Sequence, residues 1–144
     1  MKDKGFTLIE LLAVIIILGI LGAIATSAYH KYVSTTKKKS FEMAEKTFVN
    51  NVKDAYADCL SNSTNEFCGK HQSFGYQNEI IYLKELIAYD YSEKIKNPYD
   101  TNTYCNEELS YVKVVGSGDV GINKTATYTV CLVCGDVQST SCSN

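Results

Sequence analysis

Gly5-Phe6-Thr7-Leu8-Ile9-Glu10-Leu11-Leu12 opens an apolar run that continues to Ala28, and the single charge inside that run decides how the chain is read. From Leu11 to Ala25 every residue is apolar or glycine, and Glu10 is the one ionisable side chain in the 23 residues from Phe6 to Ala28. As a helix this stretch rises roughly 35 Å, enough for a hydrocarbon core of about 30 Å. Lys2 and Lys4 precede it, so the extreme N-terminus stays cytoplasmic while the chain beyond the run is translocated. A cleaved secretory signal is the rival reading, because Ala23-Ile24-Ala25 offers small residues at a suitable spacing. Glu10 weighs against it. A carboxylate in an inserting apolar run costs up to about 3 kcal/mol at mid-bilayer, so something must compensate it.

The same residues resemble the class III signal of bacterial type IV pilins and the related pseudopilins: a short Lys-bearing leader, then Gly5-Phe6-Thr7-Leu8-Ile9-Glu10, then a long apolar run. The resemblance implies that a prepilin peptidase cuts between Gly5 and Phe6 and that Phe6 becomes N-methylated. It also implies that residues 6–28 are kept, first as a membrane anchor and later as the core of a helical filament. Elementary electrostatics supports an assembly role for Phe6 and Glu10. A freed α-amino group titrates near 7.7–8.0 and a glutamate near 4.3, giving a cation and an anion four residues apart. If the Phe6 amine of one subunit meets the Glu10 carboxylate of another, both are tolerable in apolar surroundings and the axial register is fixed. Many pilins carry a proline late in the run, where this chain has Ser27; Gly19 and Gly22 are its weak points instead.

Beyond the run, Tyr29, Val33, Phe41, Ala44, Phe48, Val52, Ala55 and Cys59 recur at three- and four-residue steps, which predicts an amphipathic helix over residues 29–60. Joined to the apolar run it makes one helix to Leu60, stopped by Ser61-Asn62-Ser63-Thr64-Asn65. Ile80, Leu83, Ile87 and Tyr91 are spaced like a short helix within Gln77–Ile95, ended by Asn97-Pro98-Tyr99-Asp100. Leu109–Val115 and Thr125–Val133 read as two antiparallel strands joined through Gly116–Asn123, with Val137–Thr140 as a short third. The fold class is therefore α+β: a long N-terminal α-helix, the handle of a ladle, and a small C-terminal antiparallel β-sheet head stapled by disulfides, as the resemblance to pilins also implies. Its parts are a leader (1–5), a membrane and filament-core half-helix (6–28), an amphipathic half-helix (29–60) and a globular head (61–144).

The 144 residues carry a net charge of −2, 14 basic against 16 acidic, which excludes a global basic field for nucleic acid. All six cysteines, Cys59, Cys68, Cys105, Cys131, Cys134 and Cys142, come after the apolar run, as in a domain exported to an oxidising exterior. Fifteen pairings are open. Short loop closure favours Cys59 with Cys68, Cys105 with Cys131, and Cys134 with Cys142. Cys131-Leu132-Val133-Cys134 as a redox or zinc pair is the rival, but it sits in a strand-like, β-branched run.

Lys37-Lys38-Lys39 reads as a solvated helix face, ahead of an intersubunit contact and of phosphate binding; DNA as a partner is not supported by three lysines. His30 abuts the apolar run and His71 falls in a polar loop, with no nucleophile in a recognisable order, so no catalytic residue is expected. Asp100-Thr101-Asn102, or Asp119 with Asp136, offers too few carboxylates for calcium, so no metal or cofactor is expected. The reading is a pilin subunit of a surface filament for adhesion, motility or aggregation. Its partners are its own copies, other pilins, the peptidase, the inner-membrane assembly machinery and the membrane that holds the precursor. The alternatives are a pseudopilin of a secretion or DNA-uptake system, and a secreted disulfide-rich binding domain.

Overall fold

The computed structural model describes residues 7–61, 65–71, 78–117 and 125–142. Helix α1 spans Leu8–Ser61, α2 Glu66–Lys70, strand β1 Glu79–Tyr82, α3 Leu83–Ala88, β2 Tyr111–Ser117, β3 Thr125–Cys131, β4 Val133–Cys134 and β5 Val137–Gln138. The chain forms two compact units, Met1–Lys38 and Lys39–Asn144. This is an α+β fold: one long N-terminal helix, a small antiparallel sheet and three disulfides, as expected from the sequence.

In the second unit the helical periodicity does what it predicts. Phe41, Phe48, Val52, Ala55 and Cys59 are buried, and Tyr56, four residues after Val52 and three before Cys59, joins them. Tyr29, placed on that face by its spacing, is exposed instead. The core they enter is completed by Phe67, Ile81, Leu83, Leu86, Val112, Val114 and Leu132.

The three-stranded sheet runs β1-β2-β3, antiparallel throughout. Its register explains its two faces, since side chains alternate along each strand. Ile81, Val112 and Val130 form one inward row and Glu79, Val114 and Tyr128 the next, while Ile80, Lys113 and Thr129 face outward. The short helix expected over residues 77–95 is thus half strand. Period 3.6 and period 2 both fit a few apolar residues, and pairing with β2 decides for the strand at residues 79–82. Ile80, spaced as a core residue, is exposed, and Ile81 and Leu86 are buried in its place.

Helix α3 also stops earlier than Asn97. Asp90, at φ 60°, takes the left-handed position after the C-cap Tyr89, the Tyr91 N–H donates to Leu86 O at 2.8 Å and the Asp90 N–H to Ile87 O at 3.3 Å. That is a Schellman motif with aspartate where glycine is usual. The Asn97-Pro98 turn instead closes the next loop: buried Asn97 accepts the Tyr99 N–H at 2.9 Å and donates to Thr103 Oγ1 at 3.2 Å. The expected third strand over residues 137–140 pairs not with the sheet but with β4, as a separate two-stranded ribbon.

All six cysteines are bridged: Cys59–Cys68, Cys105–Cys134 and Cys131–Cys142. Two of the pairs favoured by loop length are replaced. Strand β3 ends at Cys131 and β4 begins at Val133, and the break at Leu132 separates two cysteines that take different partners. Loop-closure entropy differs little between these pairings, so local backbone direction decides.

Candidate functional site

The site proposed from sequence begins at the N-terminus of α1. Glu10 Oε2 accepts the Thr7 backbone N–H at 2.9 Å and the Thr7 hydroxyl at 2.8 Å, while the Glu10 N–H meets Thr7 Oγ1 at 3.4 Å and Thr7 O at 3.1 Å. Thr7-Leu8-Ile9-Glu10 is therefore a capping box, and its Thr-x-x-Glu pattern is a signal in the sequence that reasoning from the charge alone misses. Glu10 thus has a local structural task as well as a charge. Gly5 and Phe6, the expected cleavage and methylation sites, lie outside the described residues.

Past the cap, the large apolar side chains from Leu8 to Ile24 are exposed, from 84% at Leu8 to 47% at Val14. An 18-residue window of α1 reaches a mean hydropathy of 2.8 with none of it buried, long and apolar enough to cross a membrane. A continuous apolar surface of this kind does not persist in water and marks a lipid or protein contact. Gly19 and Gly22 do not interrupt the helix, and a Cβ at either would meet nothing within 4 Å, so both leave room for close approach by another helix.

The second unit carries a connected polar cluster that sequence reasoning missed. His71, expected in a polar loop, is buried, and its Nδ1 lies 2.7 Å from Glu79 Oε1. Glu79 is on the inward face of β1 and also accepts the Tyr56 hydroxyl at 2.9 Å. Burial, then the charge of Glu79 and the hydrogen bond to it, holds the Tyr56 phenol far above its ordinary range. His71 Nε2 faces Glu85 Oε1 at 4.0 Å and has no hydrogen bond among the described residues. Burial opposes ionisation of Glu85, but Lys70 at 2.6 Å, the Tyr82 N–H at 3.1 Å and the charges of Lys70 and His71 outweigh it and hold its carboxyl below the ordinary value.

A second cluster ties α1 to the segment after α3. Tyr91 donates to Asp58 at 2.5 Å and accepts from Asn65 at 2.7 Å; burial, then Asp58, push its phenol up to about 12. The signal for both clusters is weak in sequence, because their members are far apart along the chain. Only the Asn65 N-cap of α2, bonded to the Phe67 N–H, is suggested by local residue type.

The remaining candidates have ordinary surroundings. Lys38 and Lys39 are exposed on α1 and Lys37 is half-buried. The Asp100 carboxylate accepts the Asn102 N–H at 3.1 Å as an Asx turn. Asp119 lies outside the described residues. Cys131 and Cys134, weighed as a redox or zinc pair, are each committed to a structural bridge.

Comparison with known proteins adds to the N-terminal evidence. Residues 1–26 match the prokaryotic N-terminal methylation motif. The chain is 57% identical over 44 residues to the type IV major alpha-pilin of Moraxella bovis, covering 29% of this chain and 28% of that protein. It is 55% identical over 43 residues to the fimbrial protein EcpC of Eikenella corrodens, covering 29% and 28%, and 51% identical over 44 residues to a fimbrial protein of Moraxella nonliquefaciens, covering 30% and 29%. The chain thus spans less than a third of the length of the curated relatives it matches. No solved structure matches it significantly.

Proposed function

We propose that this chain, a protein of the type IV pilin family by its N-terminal segment, is a structural subunit of a surface pilus. The precursor is cut by a prepilin peptidase between Gly5 and Phe6, Phe6 is N-methylated, and residues 6–28 hold the subunit in the membrane until assembly machinery packs them into a filament core. The amphipathic half-helix (29–60) and the head (61–144) then form the outer wall, available for adhesion, motility or aggregation. It works by assembling rather than by catalysis.

The observation that carries this reading is the exposed apolar surface from Leu8 to Ile24, capped by Glu10 and lying within the matched motif. Lipid can cover that surface in the precursor and neighbouring helices can cover it in the filament. In either setting a desolvated Glu10 needs a cation, and the new Phe6 amine of an adjoining subunit supplies one. The similar proteins are named as pilin and fimbrial proteins, which favours a long pilus over a short secretion or uptake fibre.

Intact-mass analysis of the unreduced mature protein tests the reading. A chain starting at Phe6 with one added methyl and three bridges is expected, together with long filaments by electron microscopy. A mature start after Ala25 would identify a released binding domain, and short fibres confined to the cell envelope would identify a pseudopilin.

A further inference from the structure

We propose that the outer edge of β3 is a self-pairing site through which two copies of this chain, on neighbouring filaments, join their sheets edge to edge. The proposal rests on the pilin reading for its filaments, and on the edge itself for its chemistry. In the order β1-β2-β3, strand β3 has β2 on one side, and no backbone hydrogen bond among the described residues joins residues 125–130 to anything on the other. Alternate N–H and C=O groups along that side have no backbone partner among the described residues and can pair with an added strand.

Sheet edges in soluble proteins are ordinarily defended by charge, proline, bulges or short length. The opposite edge of this sheet obeys that rule: β1 has four residues and carries Glu79. The β3 edge does not. Thr125-Ala126-Thr127-Tyr128-Thr129-Val130-Cys131 is seven residues long with no charge, no proline and no glycine, and it pairs with β2 in unbroken register.

The absence of charge also argues for what pairs there. The nearby charges, Glu42, Glu45, Lys46 and Lys53, belong to α1 on the core side of Val130 and Tyr128, and the strand itself offers a charged peptide no counter-charge, whereas a second β3 laid antiparallel about Tyr128 sets Thr127 opposite Thr129 in both directions, a favourable cross-strand pair with no like charges directly opposed. Among the described residues, the closest cation on the outer face, Lys113, sits one strand inside Thr129. In a β3–β3 pair the two Lys113 residues are about 16 Å apart, three strand spacings across and two residues along, beyond the Debye length of roughly 8 Å at physiological salt. Thr127 and Thr129 lie on the outward face, while Tyr128 and Val130 pack against the core, so the pairing requires no rearrangement of the head.

One such contact buries well under the roughly 1,000 Å² that a stable interface needs. Isolated subunits should therefore remain unpaired, and the contact should act only where many copies are arrayed in parallel, as along two filaments.

The test uses sheared filaments of the full chain, compared by low-speed sedimentation and negative-stain microscopy. Wild-type filaments are expected to bundle. Thr127→Lys with Thr129→Lys places lysine opposite lysine and should give single filaments in unchanged number, with the sedimenting fraction down several-fold. Thr127→Glu with Thr129→Glu should do the same, and mixing the Lys and Glu filaments should restore bundles that dissolve at high salt. Wild-type filaments that stay single, Lys filaments that bundle as wild type, or mixtures that fail to co-sediment would each overturn the proposal. Absence of any filament from the wild-type chain would instead overturn the pilin reading, and this pairing with it.

Discussion

Glu10 closes the first turn of α1 on Thr7, accepting both its backbone N–H and its hydroxyl at 2.9 and 2.8 Å. The carboxylate therefore caps its own helix, a role separable from the counter-charge between chains proposed for it above. Glutamine at this position retains the capping box and loses the charge. Glu10→Gln is expected to insert in the membrane at wild-type level and to yield almost no filaments. Thr7→Ala, which costs the cap about 1 kcal/mol but leaves the charge, should still assemble. Normal pili from Glu10→Gln would reduce Glu10 to a capping residue and remove the electrostatic account of register.

His71, Glu79 and Tyr56 come from three separate segments and meet at one carboxylate. Glu79→Ala removes the carboxylate that the Tyr56 hydroxyl and His71 Nδ1 share inside the head, and losing a buried hydrogen bond costs about 1–3 kcal/mol. Thermal unfolding of the detergent-solubilised chain, monitored by near-ultraviolet circular dichroism of its tyrosines, should show a clear fall in Tm. Glu79→Gln, which can still serve both groups, should fall less. Equal losses for the two variants would mean that the cluster is not held by hydrogen bonding.

The amphipathic half-helix, the paired strands β2 and β3, and the use of all cysteines in bridges are legible because each depends on a short-range pattern: 3.6-residue spacing from Phe41 to Cys59, Tyr/Val/Thr runs, and cysteine placement after the apolar segment. Strand β1, the pairing of Cys105 with Cys134 and the burial of His71 are not. Four residues at 79–82 carry too few side chains to separate two periods, and cysteine pairing depends on the direction in which the chain leaves β3. A histidine among polar neighbours gives no sign that Glu79, eight residues on, will turn inward to meet it. At the N-terminus of α1 the charge of Glu10 stands out in an apolar run, whereas the Thr7 cap, within the same four residues, is masked by it.

Acid should act on the head through Glu85. Its carboxyl sits below the reference value of 4.5, held there chiefly by Lys70 and the Tyr82 N–H against the pull of burial. A depressed folded value means that the unfolded chain takes up the proton first, so the stabilisation is complete above the unfolded carboxylate range and is lost as pH falls through the folded value. Wild type should therefore lose Tm below about pH 4.5 more steeply than Glu85→Gln, which has no proton to take up there. Parallel pH profiles for the two proteins would show that the Lys70–Glu85 pair contributes nothing.

The three bridges should differ in what their removal costs. Cys105–Cys134 closes a separation of 29 residues, against 11 for Cys131–Cys142 and 9 for Cys59–Cys68. Constraint of the unfolded chain scales with the logarithm of loop length, so the paired Cys→Ser variant at 105 and 134 should lose about 1 kcal/mol more than the pair at 59 and 68. Guanidinium titration of the solubilised chains measures the difference.

Asp90 offers a gain rather than a loss. It occupies the left-handed position of the Schellman motif at φ 60°, a conformation that costs an L-residue roughly 1–2 kcal/mol, less for aspartate because its side chain bonds locally. Asp90 is exposed, so replacing it removes no core contact. Asp90→Gly relieves the strain, set against the greater freedom glycine gives the unfolded chain, and should raise stability by about 0.5 kcal/mol. Asp90→Val, with a β-branched side chain at positive φ, should lower it by more than that. The two substitutions must move Tm in opposite directions if this residue, and not the Asn97-Pro98 turn, is what ends α3; a shift of the same sign in both would return the helix stop to the proline.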